Sequence, residues 1–132
     1  MQLLDARLKE QLNEGAINQR KKIPPIPPRI SRIIKRFVKD SKQLLQDNII
    51  EEYLFGSYAN NTYTSVSDID ILIVVNNFSP EIRRKMSGLA SEYSLEYNVL
   101  ISPIIKDSQV WNKNKEFHTL FYQEIREHGI SL

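Results

Sequence analysis

The segment Asp68–Val75 constrains the fold more than any other part of this chain. It reads D-I-D-I-L-I-V-V, an almost continuously apolar run that opens with two acids. Short runs of β-branched residues are typical of buried strands, in which aspartate is rare. Because alternate residues of a strand face opposite sides, Asp68 and Asp70 are expected to share one face. The opposite, buried face is expected to consist of Ile69, Ile71, Ile73 and Val75.

The chain before this strand changes from a helical pattern to a strand pattern. Apolar residues from Ile30 to Leu45 recur on one helical stripe, and Arg and Lys residues cover the rest of the surface. Ile49 to Phe55 is a second short run rich in isoleucine and aromatic residues, which predicts another strand. The polar stretch from Gly56 to Ser67 has room for one helical turn and a loop. We therefore expect two neighbouring strands joined through a glycine–serine turn.

Three further elements are predicted after the second strand. Ser79-Pro80-Glu81 has a capping hydroxyl, a proline at the first helical position and an acid in the first turn, so a helix begins there. Tyr97 to Ile105 predicts a third strand. Glu116 to His128 predicts a last helix, capped by Gly129. The residues expected to be buried by this last helix are Phe117, Leu120, Phe121 and Ile125. The order of elements predicts an α/β (α+β) fold, with a small sheet flanked by helices.

The beginning of the chain differs from the rest in composition. Leucines at helical spacing predict a helix over Met1–Asn13, and Ile23–Pro28 reads I-P-P-I-P-P. Prolines fix φ and cannot sustain a helix, so this stretch predicts a stiff, extended connector. We therefore divide the chain into residues 1–28, an N-terminal helix and connector, and residues 29–132, one folded domain.

Composition excludes several classes of protein. A length of 132 residues corresponds to one domain, and the lack of cysteine excludes disulfide scaffolds and thiolate metal sites. No apolar run approaches the roughly 20 residues that cross a bilayer. The first residues do not resemble a signal peptide, so a cytoplasmic location and no membrane partner are expected.

The charge is distributed unevenly along the chain. The net charge is only +2, but eight cations and no acid lie between Arg20 and Lys39. Such a block suits a solvated helix face, a nucleic acid or an acidic partner. Because no aromatic residue lies within the basic face itself, base stacking on a nucleic acid has no support.

The glycine–serine turn that precedes the acidic pair favours a functional role for the two aspartates. Two carboxylates at the start of a strand can hold a divalent cation, and Mg²⁺ prefers a few carboxylates supplemented by water and substrate phosphates. Gly56 allows close approach of the backbone to an anion, and Ser57 with nearby N–H groups can bind phosphate oxygens. A phosphate site and a metal site would then come from adjacent strands. The alternative is that Asp68 and Asp70 only cap an exposed strand end.

These residues carry a resemblance to a known family. Gly56-Ser57, ten residues, and then Asp68-Ile69-Asp70 resemble the signature of the polymerase-β-type nucleotidyltransferase superfamily, and more narrowly its minimal nucleotidyltransferase (MNT) family. The resemblance implies a polymerase-β-like palm with a small mixed sheet over residues 29–132. It implies that Gly56 and Ser57 bind the nucleotide, that the two aspartates bind Mg²⁺ as catalytic residues, and that ATP is a substrate.

The chain departs from the family pattern at two places. Members often carry Ala-Arg-Gly where this chain has Ala59-Asn60-Asn61. Asparagine tolerates the left-handed conformation, so the turn is expected to form. A third carboxylate is often present where this chain has Asn98, which is neutral. Glu96, two residues earlier on the same predicted face and near the beginning of the strand, is the candidate third metal ligand.

The resemblance also implies a biological role. Small MNT proteins are commonly the antitoxin of a toxin–antitoxin pair whose toxin is a helical HEPN protein, and some transfer AMP to that toxin. We therefore expect a Mg²⁺-dependent nucleotidyltransferase that moves AMP from ATP to a protein. One alternative is a weakly active or inactive module that neutralises its partner by binding alone. Another is nucleotidyl transfer to an RNA end or a small molecule.

Overall fold

The computed structural model describes residues 26–132 as a four-stranded mixed sheet flanked by helices. None of the helices in this part of the chain has the length and apolar character needed to cross a membrane. The helices are α1 (Pro28–Leu45), α2 (Ser57–Asn60), α3 (Pro80–Tyr97), α4 (Ser108–Glu116) and α5 (Leu120–His128), with a 3₁₀ turn at Gln46–Asn48. The strands are β1 (Ile49–Phe55), β2 (Ile69–Val75), β3 (Ile101–Asp107) and β4 (Ile130–Ser131).

The sheet has the order β3-β2-β1-β4, with β2 as a central strand. β1 runs antiparallel to β2 and to β4, whereas β2 and β3 are parallel. The bounds predicted for the first two strands are confirmed, and so is the mixed α/β architecture. The antiparallel register places Phe55, the last residue of β1, opposite Asp70 near the start of β2.

The two faces of β2 belong to two different cores. Ile69, Ile71, Ile73 and Val75 are fully or almost fully buried against α1 and α3. Leu72 and Val74 face the other way and pack with Trp111 and Ile125 of α4 and α5. The alternation predicted from the sequence is confirmed, and both faces of the strand are covered by helices along most of its length. Only the beginning of β2, where the acids lie, is partly open.

Helix α1 forms the larger core together with α3. Its apolar stripe is buried as predicted except at Leu44, which is 37% exposed, and the helix begins at Pro28, where proline suits the first helical turn. Ile26 in the connector is only 3% exposed and belongs to the same core. The division at residues 28 and 29 stays a prediction, and the predicted helix Met1–Asn13 and the start of the connector lie outside the described residues.

The predicted strand Tyr97–Ile105 begins too early. Helix α3 continues through Tyr97 and ends at Asn98, which adopts the left-handed conformation (φ 55°). Asparagine can supply this conformation at a helix end, and the sequence signal for it was missed. The strand therefore runs from Ile101 to Asp107 and includes Pro103. Proline is tolerated because β3 is an edge strand, where one side needs no backbone donor.

The predicted last helix, Glu116–His128, begins four residues too early: α5 covers Leu120–His128, and Glu116 is the last residue of α4, a helix over Ser108–Glu116 that was not predicted. The chain turns at His118 (φ 50°), and the Thr119 side chain accepts a hydrogen bond from the Tyr122 amide at 3.2 Å to begin α5. Phe117 and Leu120, expected to be buried, are 71% and 83% exposed. The capping threonine therefore starts this helix later than the apolar periodicity alone predicted. Gly129 caps α5 at its C-terminal end, as expected.

Candidate active site

The glycine–serine turn and the acidic strand meet at one contact. Gly56 follows β1 with φ +75°, a conformation that L-residues rarely adopt. A Cβ atom on Gly56 would lie 2.1 Å from Oδ2 of Asp70, so only glycine leaves room for this carboxylate. The antiparallel pairing of Phe55 with Asp70 produces this closeness. Residues fourteen positions apart in the chain thus form one site.

Asp68 and Asp70 both lie next to Ser102 of the neighbouring strand β3. Ser102 of β3 pairs in register with Asp70, and its hydroxyl donates a hydrogen bond to Oδ2 of Asp68 at 3.3 Å. One serine therefore lies next to both acids, which places them on the same side of the sheet edge. Sequence reasoning missed Ser102, because its closeness depends on the parallel register of β2 and β3.

The surroundings of Asp70 oppose a second negative charge. Burial raises the pKa of the Asp70 carboxyl, and the nearby charge of Asp68 raises it further. Both causes are relieved when a cation binds between the two carboxylates, because opposite charge favours the ionised form. The pair therefore has the electrostatic character of a cation site.

The turn after Gly56 is closed by its own backbone. The amides of Ala59 and Asn60 each donate to the Gly56 carbonyl at 3.0 Å, and Thr62 donates to Ser57 O at 3.0 Å. Asn61 adopts the left-handed conformation (φ 67°), so the expectation that asparagine preserves this turn is confirmed. The Ser57 hydroxyl makes no hydrogen bond to any residue of 26–132, which leaves it available to a ligand.

A cavity of about 470 Å³ opens beside Asp68. It lies between the start of α1, the end of α3 and the loop that leads into β2. Asp68 lines it, whereas Gly56, Ser57 and Asp70 do not, so Asp68 lies between the turn and the cavity. The other residues that line it are Arg29, Ile30, Tyr58, Ser65, Val66, Ser67, Ile69, Ser94, Asn98, Val99 and Leu100.

The candidate third ligand does not join the acidic pair. Glu96 lies in the last turn of helix α3 and is exposed, so its expected position on a strand is wrong. Within residues 26–132 no three His, Asp or Glu side chains come together in a way that could hold a metal ion. The helix-ending asparagine accounts for this, because it moves the start of β3 four residues beyond the predicted start.

The donor set nevertheless suits a magnesium ion that is shared with a substrate. Mg²⁺ in nucleotide enzymes is typically held by one or two carboxylates together with waters and substrate phosphates. Asp68 and Asp70 supply the carboxylates, and the space that a Cβ on Gly56 would fill holds the Asp70 carboxylate itself. Two protein ligands are therefore enough for a metal whose other ligands come from a triphosphate.

Comparison with known proteins gives concordant results. A family model described as "Nucleotidyltransferase domain" matches residues 31–130. Two Methanocaldococcus jannaschii proteins, MJ0141 and MJ0604, carry the name "Putative protein adenylyltransferase". MJ0141 is 38% identical over 104 residues, which cover 78% of this chain and 98% of that protein. MJ0604 is 35% identical over 99 residues, which cover 74% of this chain and 92% of that protein.

Solved structures with a similar fold include a toxin–antitoxin complex. It is described as "Crystal structure of the toxin-antitoxin with AMP-PNP" and matches with a TM-score of 0.49 and 20% identity, over 73% of this chain and 69% of that chain. The family model covers the turn at Gly56 and the acids at the start of β2 within one continuous match. With two relatives above 30% identity over almost their full lengths, this chain belongs to the nucleotidyltransferase domain family and is a nucleotidyltransferase.

Proposed function

We propose that this nucleotidyltransferase transfers AMP from ATP to a hydroxyl group of a protein, with Mg²⁺ held by Asp68 and Asp70. The observation that carries the proposal is the contact between Gly56 and Asp70, which places an acidic pair directly beside a glycine–serine turn. The names of the two archaeal relatives support a protein as the acceptor.

The chain's own residues have separate roles in this reaction. Gly56 and Ser57 bind phosphate oxygens of ATP on one side of the acidic pair, and the acceptor approaches from the cavity that Asp68 lines. When bound, the cation neutralises charge on the phosphates and polarises the α-phosphorus. The acceptor oxygen bonds to the α-phosphorus, the bond to the β-phosphate oxygen breaks, pyrophosphate leaves and the hydroxyl proton passes to water. Positioning and charge neutralisation supply most of the catalysis.

The biological role that we propose is that of an antitoxin. The family resemblance implies a helical HEPN-type toxin as the acceptor, and the chain would act in the cytoplasm beside it. AMP transfer to the toxin would then be the neutralising event.

The second candidate function is neutralisation by binding alone. It is favoured by one observation, namely that only two carboxylates come together in the described part of the chain. A nucleotidyltransferase fold that has lost its third acid could still bind ATP and a partner. The experiment below separates the two candidates.

The test incubates the full chain with ATP labelled at the α-phosphate, Mg²⁺ and the purified product of the adjacent gene. Label on the partner, lost in the Asp68→Asn and Asp70→Asn double variant, supports AMP transfer. Label that persists in the double variant contradicts the role of the pair. If the double variant protects cells from the toxin as well as the parent does, binding alone is sufficient. Glu52→Gln is the matched control, since it removes a carboxylate from the neighbouring strand.

A further inference from the structure

The exposed face of helix α1 consists almost entirely of cations. Asp40 is the only acid of this helix, and it accepts a hydrogen bond from the Tyr93 hydroxyl at 2.5 Å. Of the cations of α1, only Lys42 has an ion-pair partner among residues 26–132, namely Glu52 at 4.0 Å. The exposed cations of this face are Arg29, Arg32, Lys35, Arg36, Lys39 and Lys42. Five neighbouring cations without an acid partner form a surface of strong positive potential.

Three arginines of this face surround Tyr97 at the end of α3. Arg29 donates to the Tyr97 carbonyl, and Arg36 donates to the Tyr97 hydroxyl at 2.9 Å. Together with Arg32 and Ile33 they line a pocket of about 290 Å³. The contacts with Tyr97 hold two of the guanidinium groups in place, so less conformational entropy is lost when they bind an anionic partner.

Arg29 connects this arginine pocket to the cavity beside Asp68. It lines both, and among residues 26–132 it is the only cation that lines the Asp68 cavity. The segment that forms the glycine–serine turn and the acidic strand cannot supply one, because no Lys, Arg or His lies between Lys42 and Arg83. A ligand bound to the arginines of α1 can therefore extend past Arg29 into the cavity beside Asp68.

The rim of the Asp68 cavity is apolar on the side of its loops. Val66 is 85% exposed and Leu100 is 55% exposed, although both lie beside polar residues of the cavity. Exposed aliphatic side chains next to Arg and Tyr are the composition of a protein–protein interface. A nucleic acid would place phosphates against these aliphatic groups and would gain little from them.

We propose that the arginine pocket and the Asp68 cavity together form the docking surface for the acceptor protein, and that the acceptor binds there through an acidic segment carrying an apolar or aromatic side chain. This inference rests on the proposed function, since it names the chemistry of the acceptor. The acidic side chains pair with Arg29, Arg32 and Arg36, and the apolar side chain contacts Val66 and Leu100. The acceptor hydroxyl then lies at the cavity, next to Asp68.

Other occupants fit the charge of this surface poorly. Residues 1–25 contain five cations and three acids, a net charge of +2, and so do not complement a cationic face. A second copy of α1 would bring like charges together, which destabilises an interface. An acidic protein segment is the occupant whose charge and apolar content match both parts of the surface.

The test uses a random copolymer of glutamate and tyrosine as the probe, with the full chain as the receptor. Fluorescence anisotropy measures its Kd for the wild type, for an Arg29→Gln, Arg32→Gln and Arg36→Gln triple variant, and for Leu100→Ser. The matched control carries Arg84→Gln, Lys113→Gln and Arg126→Gln, exposed cations outside both cavities. The two triple variants have the same net charge. We expect the arginine variant to raise Kd about tenfold or more and Leu100→Ser severalfold, with the control within twofold.

Three results would overturn the inference. One is equal weakening in both triple variants, which would mean that only net charge matters. Another is equal binding of a lysine–tyrosine copolymer. The third is tighter binding of poly(U) that depends on the arginines but not on Leu100, which would make the surface a nucleic-acid site. AMP transfer to the adjacent gene product is measured in parallel. Transfer that is unaffected by the arginine variant contradicts only the docking surface, whereas arginine-dependent binding without transfer contradicts only the proposed function.

Discussion

Two acids in neighbouring strands show how position in the sheet separates an enclosed carboxyl from one that is open to a ligand. Glu52 lies in the middle of β1 and is 2% exposed, whereas Asp70 lies near the start of β2 beside a turn. Burial raises the pKa of both carboxyls. Glu52 is enclosed by α1, where Ser41 and Lys42 oppose the effect of burial. Asp70 has no such partner and faces a second acid.

The environment of Glu52 suits a neutral carboxyl group. Ser41 Oγ lies 2.9 Å from both Glu52 Oε2 and the Val38 carbonyl oxygen, yet a hydroxyl has only one hydrogen to donate. When Glu52 is protonated it can donate to Ser41 while Ser41 donates to Val38, and when Glu52 is ionised Ser41 donates to only one of the two acceptors. Oε1 has no hydrogen-bond partner among residues 26–132. The difference teaches that a strand acid closed in by a helix keeps its proton to a higher pH, whereas one at an open strand end is accessible to a cation.

The contrast between Glu52 and Asp70 is tested most strongly by asking whether Asp70 is needed for AMP transfer. Asp70→Asn removes one of two carboxylates at the site, and we expect AMP transfer to fall about 1,000-fold, or about 4 kcal/mol, because a cation's stabilisation of the transition state is lost. Stability should stay the same or rise slightly, since a repelling charge is removed. Initial rates and urea unfolding measure the two effects. Glu52→Gln is the control, and a similar loss of rate in that variant would contradict the separation of roles.

The pH dependence of stability tests the raised pKa of the other acid, Glu52. Burial raises the pKa of Glu52 to about 7 in the folded state, above its ordinary value of 4.5. The unfolded chain therefore releases this proton first, so the free energy of unfolding falls as pH rises from about 4.5 to 7 and is level above that. The loss should be about 3 kcal/mol.

Urea midpoints at pH 5 and pH 8 measure this loss for the wild type and for Glu52→Gln. The neutral amide cannot titrate, so the variant should lack this component and should be more stable than the wild type at pH 8. An identical pH profile in the two proteins would show that Glu52 is ionised in the fold.

The closeness of Asp70 to the turn depends on one glycine. Gly56→Ala places a Cβ where Asp70 Oδ2 lies and forces alanine into a left-handed conformation. We expect the free energy of unfolding to fall by about 2 kcal/mol, and transfer activity to fall with it because Asp70 is displaced. Chemical denaturation and initial rates of AMP transfer check the two effects.

Gly88 of α3 provides the matched glycine. Nothing lies within 4 Å of a Cβ placed there, and the residue is inside an exposed helix turn. Gly88→Ala should therefore stabilise the protein by about 0.5–1 kcal/mol without changing activity. Equal destabilisation by both substitutions would contradict the special role of Gly56.

The smallest effects come from the two serines beside the acids. Ser41→Ala leaves Glu52 without its hydroxyl partner and should cost about 1 kcal/mol of stability above pH 7, with activity unchanged. Ser102→Ala removes the hydrogen bond to Asp68 and should slow transfer a few-fold, with stability within about 0.5 kcal/mol. Parallel urea and transfer measurements on both variants compare them. If both substitutions lowered only stability, or both slowed only AMP transfer, Glu52 and Asp70 would not have the separate roles that we assign to them.

Local chemistry predicted the parts of the fold that depend on neighbours in sequence. The bounds of β1 and β2, the Ser79 cap of α3 and the left-handed Asn61 follow from residue type and spacing over a few positions. The errors lie where two local signals compete. Asn98 extended a helix into a predicted strand, and Thr119 moved the start of the last helix four residues beyond the predicted start, because a single capping residue outweighed the apolar periodicity around it.

The candidate site divides in the same way. Gly56, Ser57, Asp68 and Asp70 could be named from their order in the chain, since each side chain has a chemistry that few other residues share. Glu96 was named on the assumption that its segment is a strand, and that assumption was wrong. Ser102 and Arg29 gave no signal, because serine and arginine are common and only contact with the site distinguishes these two.

The sequence by itself determined which residues carry charge, which segments bury apolar surface and where the backbone can adopt unusual conformations, because these are properties of side chains and near neighbours. The tertiary structure alone decided that Asp70 lies over Gly56, that Ser102 reaches Asp68 and that Arg29 joins two cavities. Those contacts depend on strand register and helix packing, which bring together residues that are far apart in the chain. Register is set by the burial of whole faces, and no single residue encodes it.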